Sequence, residues 1–566
     1  MRPLAHPAVL CGFTGTLLLA LTACNATSPD TRTEPAAKAD AGTAVLHESS
    51  AQPPARHAEL ARYAPAAIAA MPAAPLVDQA LPGYHDANRE QYQTLTANPV
   101  HAVSEAPVST FSLDVDTGSY ANVRRFLNQG QLPPADAVRL EELVNYFPYA
   151  YPQATGDAPF GVATELAQTP WNPESRLLRI AIRTEDRSVA QLPPANLVFL
   201  VDVSGSMDRR EGLPMVQGTL KLLVDQLRAQ DKVSLVVYAS ESSVVLEPTA
   251  GSDKATIRGA IEQLRAGGST AGESGIQLAY QQAQKGFIKG GINRILLATD
   301  GDFNVGISDF ETLKALAADK RKTGISLTTL GFGTDNYNEQ LMEQLADAGD
   351  GNYAYIDNLR EARKVLVDQL SSTLAVVAKD VKVQVEFNPA QIAEYRLLGY
   401  ENRMLRREDF SNDKVDAGEV GAGQSVTALY EIVPAGGKGW LEPLRYQAKA
   451  ETRGRSGELA LLRVRYKAPE QATSRLLEIP VTAPAQVAAI GEASEDLRFA
   501  SAVAAFAQQV RGGQYTGAFD LAASAQLARS GKGEDRFGLR GEFVQLVELA
   551  QSLQTQHPVP DTAKAD

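Results

Sequence analysis

Apolar positions follow three rhythms along the chain. Between residues 197 and 356, short runs rich in apolar residues alternate with stretches in which apolar residues return every three or four positions. The runs are 197–201, 233–238, 294–298, 326–330 and 353–356. A short apolar run bounded by turn residues reads as a strand buried on both faces. The stretches 215–229, 254–264, 276–285, 310–323, 338–348 and 359–370 read as helices, and 243–246 as a short edge strand. Strands alternating with helices predict an α/β fold built on a doubly wound, mainly parallel sheet with helices on both faces.

Alternation takes over afterwards, in 381–387, 392–398, 425–432, 458–467 and 474–481. Pro and Gly clusters separate these runs, which is a β-sandwich signature. Residues 160–165 and 177–184, upstream of the α/β region, alternate in the same way. Two isolated strands do not make a stable sheet, so they are expected to complete the sandwich, with the α/β domain inserted between its strands. Both Trp residues, Trp171 and Trp440, then fall in the sandwich region, where packing is expected rather than a sugar-binding platform. Terminal helices are expected at 497–510, 516–528 and 540–553, the first docking through Phe499, Val503, Phe506 and Val510, with disorder from residue 554.

Ahead of the sandwich strands, 111–115 reads as a strand and 119–128 as a helix. Pro133-Pro134 should open a second helix carrying Val138, Leu140, Leu143, Val144 and Phe147. Asp116-Thr117-Gly118-Ser119 resembles the catalytic loop of aspartic proteases, but that chemistry needs a second such loop, and with no other Asp-Thr-Gly or Asp-Ser-Gly only a homodimer could complete it. Asp116 or Thr117 is expected to cap the following helix instead.

The N-terminus changes the picture. Arg2, the apolar stretch around Leu17–Leu21 and then Leu21-Thr22-Ala23-Cys24 resemble a bacterial lipoprotein signal, with Cys24 as the lipid anchor. A plain secretory signal or a short membrane helix are the alternatives, although the run is short for a bilayer span. Asn25 after the cysteine leans toward the outer membrane by resemblance to enterobacterial sorting. The implied location is the bacterial cell envelope, periplasm-facing or surface-exposed. Residues 25–82, rich in Ala, Pro, Thr and Ser, read as a disordered tether. The expected order is signal peptide 1–23, tether 24–82, a helix-and-strand domain 83–190, the α/β domain 191–372, the sandwich 373–490, helices 491–555 and a disordered tail 556–566.

Composition removes several functions. A chain of 566 residues divides into several domains, and its net charge of −13 argues against nucleic acid as a partner. The His residues are 6, 47, 57, 85, 101 and 557, and the Cys residues are 11 and 24. Residues 102–556 therefore hold no Ser-His-Asp triad, no Cys-His pair and no His/Cys zinc site.

What the folded region does offer is oxygen. The apolar run ending in Leu200-Val201 stops at Asp202, and the hydroxyls of Ser204 and Ser206 follow around Gly205. Thr270 follows the glycine-rich Gly267-Gly268-Ser269, and Asp300 follows the strand ending at Ala298. In open α/β sheets, loops at strand C-termini are where ligands bind. Asp-x-Ser-x-Ser at 202–206 with later Thr270 and Asp300 resembles the metal-ion-dependent adhesion site (MIDAS) of von Willebrand factor A (VWA) domains. Residues 111–147, Leu398-Gly399-Tyr400-Glu401-Asn402-Arg403 and Asp416-Ala417-Gly418-Glu419 further resemble a bacterial lipoprotein subgroup of that family.

The resemblance implies Mg²⁺, with Ca²⁺ or Mn²⁺ as alternatives. Ser204, Ser206 and Thr270 would bind it directly or nearly so, and Asp202 and Asp300 directly or through water. An open position would take a carboxylate from a partner protein, making a membrane-tethered, non-enzymatic adhesion or assembly module with no small-molecule substrate. A metal-dependent hydrolase using the Asp300/Asp302 loop, or an accessory subunit of an ion-transport complex, are the alternatives. The 300–311 segment also matches EF-hand ligand spacing, but Val305 stands where that loop needs glycine, so at most Asp302 and Asn304 bind Ca²⁺ weakly.

Overall fold

The structure is a computed structural model that describes residues 90–270, 272–301, 310–334, 337–442, 444, 457–469, 471–484 and 487–556. The signal peptide, the tether, Cys24, Asp302, Asn304 and residues 557–566 lie outside the described residues.

The chain enters through β1 (His101–Ala102), β2 (Val108–Ser112), α1 (Gly118–Asn128), α2 (Leu140–Asn145), β3 (Phe160–Gln168) and β4 (Arg176–Thr184). The helix expected from Pro133 is broken. Ala135–Ala137 forms a 3₁₀ turn and Val138 is extended, at φ −106° and ψ 101°. Ser119 pins the break, because its Oγ donates to the Ala137 carbonyl (2.7 Å) and accepts the Arg139 N–H (2.9 Å). The capping expectation also fails. Thr117 is the N-cap of α1 but makes no side-chain cap bond, and Asp116 instead accepts the N–H of Tyr353 at 2.9 Å.

Next come β5 (Ala195–Asp202), α3 (Leu213–Gln226), β6 (Lys232–Tyr238), β7 (Ser242–Ala250), α4 (Lys254–Glu262), α5 (Gly272–Lys285), β8 (Ile292–Thr299), α6 (Phe310–Arg321), β9 (Ser326–Gly331), α7 (Glu339–Ala348), β10 (Tyr353–Tyr355), α8 (Leu359–Arg363) and α9 (Leu370–Leu374). They form one sheet in the order β10-β9-β8-β5-β6-β7, parallel except for the edge strand β7. All eight β5 residues are buried, with β6 and β8 on either side. Side chains alternate across a strand. Leu197, Phe199 and Val201 accordingly join a core with α3 and α4, while Val198 and Leu200 join another with α5 and α7. The helix expected to end near residue 370 runs on to Leu374 through a π-turn at Lys364–Asp368. Lys364 sits there with its Nζ 3.6 Å above the Tyr146 ring and 3.2 Å from Glu361.

The chain then builds β11 (Val376–Phe387), β12 (Ile392–Leu398), β13 (Val420–Gly421), β14 (Ser425–Pro434), β15 (Glu458–Lys467), β16 (Arg475–Thr482), α10 (Glu495–Val510), α11 (Leu521–Ser530) and α12 (Leu539–Gln556). One sheet runs β1-β12-β14-β4-β3, and the other β13-β11-β15-β16 with β2 on β11. Strand β4, which precedes the parallel sheet in the chain, thus pairs with β14, which follows it, and carries β3 on its other side. The facing sides share a core of Ile180, Ile182, Tyr430, Val383, Val385 and Leu462. On the outer side of the first sheet, Leu177, Ala181 and Leu429 pack with Phe499, Val503 and Phe506 of α10. Helix α11 begins only at Leu521, where Asp520 caps it by accepting the Ala523 N–H (2.8 Å), and α12 extends to Gln556, past the end expected for it. No helix among the described residues is long and apolar enough to cross a membrane.

Candidate metal centre

Three loops meet at the C-terminal end of the parallel sheet, and hydrogen bonds stitch them together. Asp202 closes β5 fully buried. Its Oδ1 accepts the Ser204 N–H at 2.9 Å, which turns the chain, and its Oδ2 accepts the Thr299 hydroxyl at 2.9 Å, which ties the first loop to the third. Thr299 Oγ1 in turn accepts the Gly301 N–H (3.1 Å), fixing the backbone beside Asp300. The second loop joins through backbone bonds, Gly205 N–H to the Gly268 carbonyl (3.0 Å) and Gly267 N–H to the Val203 carbonyl (2.8 Å). Gly268 has φ +89°, and a Cβ there would lie 2.7 Å from Ser240 Oγ, so this turn needs glycine.

The hydroxyls follow from that frame. Ser204 and Ser206 place their Oγ atoms 3.0 Å apart. Thr270 is buried two residues beyond Gly268, and Asp300 is buried at the end of β8. A fourth wall was not read from the sequence. The Phe332 N–H donates to the Thr299 carbonyl (2.9 Å), and a Cβ on Gly333 would sit 3.4 Å from Asp300 Cβ. Arg209 locks the first loop to this wall, donating from Nε to the Ser206 carbonyl (2.7 Å) and from Nη1 to the Thr334 carbonyl (3.0 Å). A hydroxyl residue directly before Asp300 was a readable signal for Thr299. Nothing in the pattern singles out Arg209.

The electrostatics suit a cation. Burial, and then the Asp300 carboxylate, push Asp202 up to about 6, against the lowering effect of the Ser204 and Thr299 hydrogen bonds. The Tyr238 phenol beside it is pushed up by burial and then by Asp202. Two buried carboxylates, one of which raises the proton affinity of the other, stand with the hydroxyls of Ser204, Ser206 and Thr270 on the same loops and make an all-oxygen donor set. Such a set fits a hard divalent cation and offers a soft metal nothing.

A second acidic group lies elsewhere, between the N-terminal segment and the parallel sheet. Carboxylate oxygens of Asp114, Glu142 and Glu343, all buried, lie within 4.8 Å of one another. Two guanidiniums neutralise it. Arg139 meets Glu343 (2.7 Å), Glu339 (3.3 Å) and Glu142 (3.4 Å). Arg403 meets Asp347 (2.6 Å), Glu343 (2.9 Å), Asp114 (3.2 Å) and Asp116 (3.7 Å). The carboxylate of Asp116, in the protease-like loop, is therefore part of an ion-pair network.

Comparison with known proteins covers almost all of this architecture. The von Willebrand factor type A domain model matches residues 196–369, a model described as von Willebrand factor matches 86–179, and a model of the C-terminal part of the uncharacterized protein YfbK matches 372–553. YfbK of Escherichia coli (strain K12) is 50% identical over 472 residues, covering 82% of this chain and 81% of its own. Inter-alpha-trypsin inhibitor heavy chain H4 of Homo sapiens is 27% identical over 187 residues, 32% of this chain and 19% of its own. A solved von Willebrand factor type A protein from Catenulispora acidiphila aligns with 69% of this chain and 91% of its own at 16% identity and a TM-score of 0.38.

Proposed function

We propose, from the premise that this chain belongs to the YfbK family of von Willebrand factor type A domain proteins, that it is a non-enzymatic adhesion or assembly module of the bacterial cell envelope. In this reading Asp202, Ser204, Ser206, Thr270 and Asp300 hold Mg²⁺, and the site captures a carboxylate from a partner protein. The observation that carries it is the tie between the first and third loops through Asp202: Ser204 N–H on one oxygen and Thr299 Oγ on the other, each at 2.9 Å. Those bonds occupy lone pairs of a buried carboxylate while leaving the hydroxyls of Ser204 and Ser206 beside it.

Three neutral hydroxyls among five protein ligands leave a bound divalent ion with positive charge to attract a carboxylate. The residues do the positioning. Thr299 and the Gly301 N–H hold the third loop in register, Gly205 and Gly268 hold the second, and Arg209 keeps Ser206 from swinging away. In water such a bond is weak; enclosed by a partner's surface it strengthens. Cys24, lipid-modified, would anchor the module, with the outer membrane favoured and residues 25–82 as the tether.

The test is titration of the full chain with Mg²⁺. The expected outcome is saturable heat and a higher melting temperature, both absent in Asp202→Ala. At a hundredfold excess over Kd the stabilisation should be about 2.7 kcal/mol. Equal stability with and without metal in both proteins would overturn the site. Mass spectrometry of membrane-extracted protein should find lipid on Cys24, and partner capture should be lost on EDTA addition.

A further inference from the structure

A cleft that shares no residue with the metal-site loops is lined by both tryptophans of the protein. It is an open cleft of about 480 Å³ lined by Trp171, Asn172, Glu174, Trp440, Gln514 and Tyr515, together with Lys438 and two glycines. That lies within the size range of small-ligand sites. Its composition is unusual in one respect. Among the described residues that line it, none is aliphatic, and the polar ones are an amide pair, one carboxylate and one ammonium. Trp440 and Tyr515 are half-buried, with rings at 86° and centroids 6.5 Å apart.

The walls are built from buried polar contacts. Glu431, fully buried on β14, accepts Trp171 Nε1 (3.1 Å), Asn172 Nδ2 (3.2 Å) and Ser175 Oγ (2.6 Å). It also pairs with Arg396 at 2.7 Å, and the Arg396 guanidinium lies 3.9 Å from the Tyr515 ring centre. One carboxylate thus orients Trp171 directly and Tyr515 through Arg396. The Trp440 loop is clamped separately: Glu394 accepts the Trp440 N–H at 2.8 Å, and a Cβ on Gly439 would meet that carboxylate at 2.0 Å. A second cavity of about 200 Å³ shares Tyr515 and Gln514 and continues past Asn98, Asp136 and Arg511. The two make one groove with Tyr515 between them.

We infer that this groove binds a neutral oligosaccharide strand. An aromatic face carries negative charge density that attracts the polarised C–H groups of a pyranose ring. Planar amide, carboxylate and guanidinium groups at the rim match its hydroxyls in pairs. A lipid chain would require aliphatic walls around the tryptophans, where the lining has none, and a polyanion would require unopposed cations, whereas Lys438 lines the cleft with Glu174, Arg396 pairs with Glu431 and Arg511 with Glu401. The Trp171 ring, held by Glu431, and the Trp440 backbone, held by Glu394, lose little freedom when a ligand docks. Trp171 packs as expected, buried in the core beside Phe519, and in this proposal its indole and that of Trp440 also wall a site.

Trp171 and Trp440 are the only tryptophans, so intrinsic fluorescence reports this cavity alone. The full chain is titrated with chitotetraose and, in parallel, with cellotetraose. The expected result is a saturable change in tryptophan emission with at least one of them. It should be unaffected by EDTA and by Asp202→Ala, and weakened about tenfold by Trp440→Ala or Tyr515→Ala. Gln514→Ala, at an exposed position, keeps the test valid if an aromatic variant fails to fold, and should also weaken binding. No emission change and no heat with either sugar would overturn the proposal. So would affinity unchanged in all three variants, or saturation by a proline-rich peptide in place of the sugars.

Discussion

Thr299 shows how much of the metal centre rests on single bonds. Its hydroxyl donates to Asp202 and accepts from Gly301 in a buried position. Thr299→Val keeps the shape and removes both bonds, leaving a buried carboxylate oxygen and an N–H short of partners. The expected cost is about 1–3 kcal/mol in urea denaturation, together with weaker Mg²⁺ binding. Glu339 titrates in the first turn of α7. Burial first, and then Glu343, push it up to about 7, although Arg139 pulls it down. A carboxyl raised in the folded state holds its proton where the unfolded chain has released it. Its contribution to stability is complete below the ordinary carboxylate range and disappears as pH rises through about 7. The melting temperature should therefore fall between about pH 5 and pH 8, and Glu339→Gln, which cannot ionise, should flatten that fall. An unchanged slope would show that another group titrates.

At the scale of elements, period and burial explain most of the sheet. Strand β5 is apolar on both faces because helices cover both, and β7 alternates because it is the edge. The helical layer behind the sandwich depends on Phe543 of α12, whose ring lies edge-on to Phe147 (5.6 Å), Phe499 (5.5 Å) and Phe506 (5.4 Å). Phe543→Ala should cost about 3–5 kcal/mol and increase proteolysis of α10–α12 before the rest of the chain. The π-turn before α9 is the element that periodicity misses. It shifts the register by one residue, and Lys364 lies within it, stacked on Tyr146 of the N-terminal segment.

Across the whole molecule, ion pairs join segments far apart in sequence. Arg124 of α1 reaches Asp357 (2.8 Å), Glu361 (2.8 Å) and Glu542 (3.1 Å). Arg139 and Arg403 do the same around α7. Removing one side of such a buried network strands charge, at about 3–5 kcal/mol per broken pair. Residues 191–372 expressed alone should consequently melt well below the intact chain and regain stability when Glu339, Glu343 and Glu361 are made Gln. Arg403→Met in the full chain should be destabilised by a similar amount, measured by denaturant midpoint.

The order of strands and helices, the parallel sheet and the three loops carrying Asp202, Ser204, Ser206, Thr270 and Asp300 were legible in the sequence. Each depends on spacing along a single strand or turn, where periodicity and glycine placement act locally. The interrupted second helix, the role of Asp116, the Arg139 and Arg403 networks and the tryptophan groove were decided by tertiary structure. Arg139 and Glu343 are 204 residues apart, Arg403 and Asp114 are 289, and Trp171 and Glu431 are 260. A lone Arg or Trp has the same local pattern whether it faces solvent, an acid or a cavity. Which one it faces depends on which strands pair, and that is set by burying the whole core together.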